Sequence, residues 1–126
     1  MRQVEREMSR LEDTEEQELV DWAEANDWLA LKVNILGNVG WPDRIFIGHG
    51  SVTTYIEMKR RGKKPTRMQF YRMKLLAERG HNVGWFDNAE AAINFLDATS
   101  ISASRDKHDV VPSMRRSILR SWAGKN

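Results

Sequence analysis

The sequence predicts an α/β fold in which helices flank a central sheet, in the order helix, three strands, helix, strand, helix. Three observations carry this expectation. Leu29, Leu31, Val33 and Ile35 alternate through Trp28–Ile35, and a second alternating run from Ile45 turns at Gly48–Ser51 into a third, Val52–Lys59, with the pattern of a β-hairpin. Thr14 with Gln17, and Thr66 with Gln69, each have the spacing of a capping box at a helix start. A short apolar run, Asn82–Phe86, then separates the second of these helices from a third.

The first helix is expected from Thr14 to about Asn26, with Leu19, Val20, Trp22 and Ala23 as its apolar stripe and residues 1–13 as a charged lead-in. At 100° per residue, Glu12, Glu15 and Glu16 project near that stripe. Acids there favour the helix dipole, which is reason enough for their presence. Trp28–Ile35 reads as the first strand, with Lys32 and Asn34 on its second face. Leu36–Trp41 is a Gly/Asn loop, and Pro42 keeps Trp41 extended and delivers Asp43 to the head of the second strand. Arg60–Lys64 is a compact basic turn. The helix that follows mixes Arg67, Arg72, Lys74 and Arg79 with Met68, Phe70, Tyr71, Met73, Leu75 and Leu76, an apolar arc broader than one packed face requires. Gly80 ends it. Asp87-x-x-Glu90 opens the third helix, with Ala89, Ala92, Ile93 and Leu96 as its stripe. Beyond Asp97 the pattern weakens into a loop-like stretch, and Ser113–Trp122 has the spacing of a short basic amphipathic helix.

A chain of 126 residues makes one domain with a modest core. The net charge of +2 is unremarkable, but the first 28 residues are rich in acids while Lys59–Arg79 is dominated by bases, which points to one basic surface. The absence of Cys excludes disulfides, thiolate nucleophiles and Cys-ligated zinc. His49, His81 and His108 lack zinc-site spacing, and there is no phosphate-binding Gly-rich loop of the nucleotide-driven kind. No apolar run approaches 18 residues and no signal peptide is visible, so a soluble, intracellular (cytoplasmic) protein with no membrane partner is expected.

The chemistry concentrates in the hairpin. If Ile47 pairs with Thr53, Ile45 faces Tyr55 and Asp43 faces Glu57, with Cβ atoms about 4.5–5.5 Å apart. Lys59 shares the face of Glu57. Each residue alone is ordinary turn or edge-strand chemistry. Together, two carboxylates at one end of a ribbon repel each other unless a cation lies between them, and Mg²⁺, bound through carboxylate oxygens and water, suits such a place.

These residues resemble a known family. Gly40-x-Pro42-Asp43, thirteen intervening residues and Glu57-x-Lys59 look like the PD-(D/E)XK nuclease motif. An acidic opening helix, the G-x-P-D-R run ending in Arg44, a basic Gly-containing turn, Gln69 at a helix start and Gly80 before a strand resemble its virus-type replication-repair branch, the VRR-NUC domain, from roughly Glu12 to Leu96. The resemblance implies a restriction-endonuclease-like core with a central mixed sheet (α-β-β-β-α-β-α) over residues 14–97; the basic extension, 98–126, lies outside the resemblance, and capping the fold, reaching a second subunit and touching DNA are its open alternatives. It also implies a metal-dependent endonuclease using Mg²⁺ or Mn²⁺. Asp43 and Glu57 would bind the ion and Lys59 would assist the chemistry, with Glu16 the best match for the helical acid and Glu12 and Glu15 left open. The expected DNA contacts are Lys32, Arg44, Arg60, Arg61, Lys63, Lys64 and Gln69, capping competing with site contact at Gln69. Small stand-alone members look like homodimeric Holliday-junction resolvases of phage or prophage origin, which makes branched DNA the expected partner. A flap nuclease, an inactive DNA-binding or assembly module on the same fold, and a structural dimerisation protein are the alternatives.

Overall fold

The computed structural model describes residues 2–35, 37 and 39–105. The elements are α1 (Arg2–Ala25), β1 (Leu29–Lys32), β2 (Arg44–Ile47), β3 (Thr53–Met58), α2 (Arg67–Glu78), β4 (Asn82–Phe86) and α3 (Ala89–Arg105). The element order is the one the sequence predicts. The sheet runs β1-β2-β3-β4, with the first two pairings antiparallel and the third parallel. A parallel neighbour needs a crossover, and α2 supplies it between β3 and β4.

Strand alternation sorts the core into two layers. Phe46, Ile56 and Met58 face α1 and α3, where they pack with Leu19, Ala23, Ala92 and Leu96. Phe70, Met73 and Ala77 of α2 pack on the other face against Val83, Tyr55 and Trp85. Buried Thr54 donates to Thr99 at 3.0 Å, and Thr99 donates to the Leu96 carbonyl at 2.7 Å, which ties α3 to β3 without an orphan hydroxyl.

Several boundaries differ from expectation, among them that of β1, which ends at Lys32 rather than Ile35. α1 begins at Arg2, so residues 2–13 are helical rather than a separate lead-in and Thr14 does not cap. The Arg-, Glu-, Met- and Leu-rich stretch before Thr14 has no Gly or Pro to stop a helix, and propensity carries it through. α3 continues past Asp97 to Arg105, held by the burial of Thr99. Its cap is Asn88, whose side chain accepts from the Ala91 N–H at 2.8 Å, while Asp87 turns away to accept from Gly62. By contrast Thr66 and Gln69 form the reciprocal capping box as read. The Ser113–Trp122 segment lies outside the described residues.

Candidate active site

The hairpin register is the predicted one: Ile47 pairs with Thr53, Ile45 with Tyr55 and Arg44 with Ile56. One step further along this ladder sets Asp43 against Glu57 on the face shared with Ile45 and Tyr55. Gly48 N–H donates to the Val52 carbonyl at 2.9 Å, and Gly50 and Ser51 take positive φ values of 76° and 65°, closing the turn that fixes this register. Asp43 is further anchored by its carbonyl, which accepts from Val33 N–H at 2.8 Å.

Glu57 is buried, and its carboxyl is pushed up to about 7, first by loss of water and then by the Asp43 charge. The Lys59 ammonium, 3.7 Å away, and the Asp43 backbone N–H pull the other way without winning. Asp43 is likewise raised, by burial and then by Glu16, against the opposing pull of Lys32 and Arg44. The pair is thus short of positive charge in the folded protein, and its own lysine does not supply enough. Lys59 is held by its backbone N–H, which donates to the Phe86 carbonyl at 2.8 Å and continues the β3–β4 ladder.

The opening-helix acids divide cleanly. Glu16 is buried and accepts from Arg44 Nε at 2.6 Å, with Lys32 Nζ at 3.7 Å. Glu15 instead accepts from the Ala89 N–H at the start of α3 and from Arg61 at 3.4 Å. The side chain of Glu12 lies outside the described set. Among the described residues no three acidic, His or Cys side chains gather closely enough to hold a metal ion. Glu16, expected in the metal set, is turned to Arg44. Asp43 and Glu57 are therefore the side chains that could hold a hard cation.

The basic residues divide as well. Arg44, expected as a DNA contact, is inward: its position in β2 has the opposite parity to Asp43, so it faces α1 and is taken up by Glu16. Lys32 is 63% exposed, with Glu16 as a loose partner. The Arg60–Lys64 turn is braced rather than free, because Lys63 N–H donates to the Arg60 carbonyl and Gly62 N–H to Asp87. The Gly62 N–H first, and then the Asn88 side-chain amide, hold the Asp87 carboxyl below its usual range. Lys63 and Lys64 are exposed on this turn. Gln69 is committed to the cap through Oε1. His49 is exposed beside Asp27 at the far hairpin tip, away from the acids.

This constellation sets an acid pair and a lysine at the head of a β-hairpin within an α/β fold. No family model and no curated protein matches the sequence. Among solved structures the chain is similar to a VRR_NUC domain, with a TM-score of 0.64 and 23% identity over 68% of this chain and 94% of that one. The fold is that of a VRR_NUC domain: a mixed four-stranded sheet flanked by helices. The resemblance read from the motifs is thus borne out at the level of the fold. No helix among the described residues is long and apolar enough to cross a membrane.

Proposed function

We propose that this protein is a divalent-metal-dependent DNA endonuclease that hydrolyses phosphodiester bonds, with branched DNA of the Holliday-junction type as substrate. The observation that carries the reading is the pairing of half-buried Asp43 with buried Glu57, both carboxyls raised and both facing the same way beside Lys59. The donor set fits Mg²⁺ or Mn²⁺: hard oxygens from two carboxylates, leaving the remaining positions to water and phosphate oxygens, as Mg²⁺ prefers. When bound, such an ion polarises the phosphate and eases deprotonation of water near neutral pH. Lys59 orients the attacking water or stabilises charge developing on the phosphoryl oxygens. Glu16, ion-paired with Arg44, braces the strand that carries Asp43. Lys32, Arg60, Arg61, Lys63 and Lys64 hold the DNA backbone.

Cleavage of a labelled four-way junction, a flap and a linear duplex in Mg²⁺ tests this directly. Junction cutting that stops on chelation is expected, and equal cutting of duplex removes the branched-substrate element. DNA binding without metal-dependent cutting favours an inactive assembly module. Replacing Lys63 and Lys64 by Ala should weaken binding and lower the slope of log K against log salt by about 2, since each phosphate contact contributes about 1. An unchanged slope places the DNA elsewhere.

The homodimer belongs to the same reading. α2 covers its sheet face at β3 and β4, whereas Leu29, Leu31 and Ile47 on the same face of β1 and β2 remain 63%, 43% and 36% exposed, and α2 itself leaves Met68 and Tyr71 exposed. An open apolar face of this kind marks an interaction surface. A second copy seated there would give the two-fold pair of sites that suits symmetric cutting. Leu31→Asp should convert the dimer to monomer by light scattering while leaving the fold intact; a dimer that persists puts the interface elsewhere.

A further inference from the structure

We propose that Arg72 is a positioning residue for Asp43, acting through the loop that delivers Asp43 to the acid pair; the inference rests on the nuclease reading of that pair. Arg72 lies in the second turn of α2 and reaches the segment just before β2. Its Nε donates to the Val39 carbonyl at 3.2 Å. The same guanidinium lies 4.8 Å from the centroid of the Trp41 ring and 5.8 Å from that of Tyr71. A planar fork that stacks on an aromatic face while donating in its own plane is specific to arginine; a lysine ammonium keeps only the charge.

The residue between these two contacts is fastened from below. Gly40 has φ of 93°, and a Cβ there would stand 2.6 Å from Met68 Cγ and 3.2 Å from the Met68 backbone. Three consecutive residues, Val39, Gly40 and Trp41, are therefore held on the first two turns of α2. Pro42 follows, buried and with fixed φ, and then Asp43. On its other side Asp43 is held by Val33 and by the β2–β3 ladder. Two anchors thus flank the carboxylate, one in the sheet and one on α2. Gly40 itself adds no stiffness that could replace the second anchor. Misplacing one carboxylate of a two-carboxylate cation site weakens the site even when every ligand remains, and residues that orient ligands typically change affinity or activity by about 10–100-fold.

Calorimetric titration of Mn²⁺ into the wild-type chain, Arg72→Ala, Arg72→Lys and Gly40→Ala tests this, with circular dichroism checking each fold. Arg72→Ala should bind Mn²⁺ about 10–100-fold more weakly, and Arg72→Lys should fall between it and wild type. Gly40→Ala, which breaks the same clamp from the opposite side, should reproduce the defect. The salt dependence of DNA binding should not change. Wild-type Mn²⁺ affinity in a folded Arg72→Ala or Arg72→Lys variant overturns the proposal, as does a reduced salt slope with unchanged Mn²⁺ affinity, which would make Arg72 a phosphate contact. A wild-type chain that takes up no Mn²⁺ overturns the nuclease reading itself, and the role of Arg72 with it.

Discussion

Glu57→Gln is expected to abolish DNA cleavage and, at pH 8, to make the protein more stable. The two effects share one cause. In the unfolded chain this carboxyl titrates near 4.5; in the folded protein burial and then the Asp43 charge push it up to about 7. Between those values the folded state keeps a proton that the unfolded chain has released, so stability falls as pH rises through the window and stays lowered above it. Below the unfolded value both states are protonated and the penalty vanishes. Glutamine stays neutral throughout. The variant should therefore match wild type at pH 4 and exceed it at pH 8 by on the order of 1–3 kcal/mol. Denaturant unfolding at the two pH values, beside a cleavage assay, measures both effects. A variant that cuts at the wild-type rate removes Glu57 from the chemistry. One that is less stable at pH 8 contradicts the picture of an under-neutralised acid pair. The same repulsion makes metal binding proton-coupled, so affinity for the ion should rise with pH up to about 7.

Arg44→Ala is expected to destabilise the fold by on the order of 3 kcal/mol, because it strips the partner at 2.6 Å from a carboxylate whose side chain is only 12% exposed. Lys32, at 3.7 Å and largely in water, compensates poorly. For a chain of this size the thermal midpoint should drop by roughly 10 °C. Arg61→Ala, which breaks a pair whose cation is 75% exposed, should change stability by less than about 1 kcal/mol. Adding Glu16→Gln to Arg44→Ala should recover part of the loss, since the unpaired buried charge is then gone. If Arg44 were instead a phosphate contact, Arg44→Ala would leave the midpoint in place and lower the salt slope of DNA binding by about 1.

The hairpin and its register were legible because two local signals agree: alternation on both sides and a Gly-rich turn of fixed length. That register alone brings Asp43 to Glu57. The covering of each face was not legible. Leu29 and Leu31 alternate as a buried strand would, yet periodicity records which residues share a face and not whether anything packs on it. Thr14 failed as a helix start because capping spacing is local, while the absence of a breaker upstream let α1 continue. The partners of Glu15 and Glu16 lie 74 and 28 residues away and are set by how α1 crosses the sheet and α3. Parity gave a usable hint for Arg44: adjacent to an acid on one face of β2, it had to face the other. Arg72 carried no signal in the sequence, since its role depends on α2 lying against the loop before Asp43.

The most direct test is calorimetric titration of Mg²⁺ at pH 7.5 into the wild-type protein and into the double variant Asp43→Asn/Glu57→Gln. The account predicts saturable uptake of the ion by the wild type, with proton release, and none by the double variant. Uptake of equal affinity by both proteins, or by neither, contradicts it.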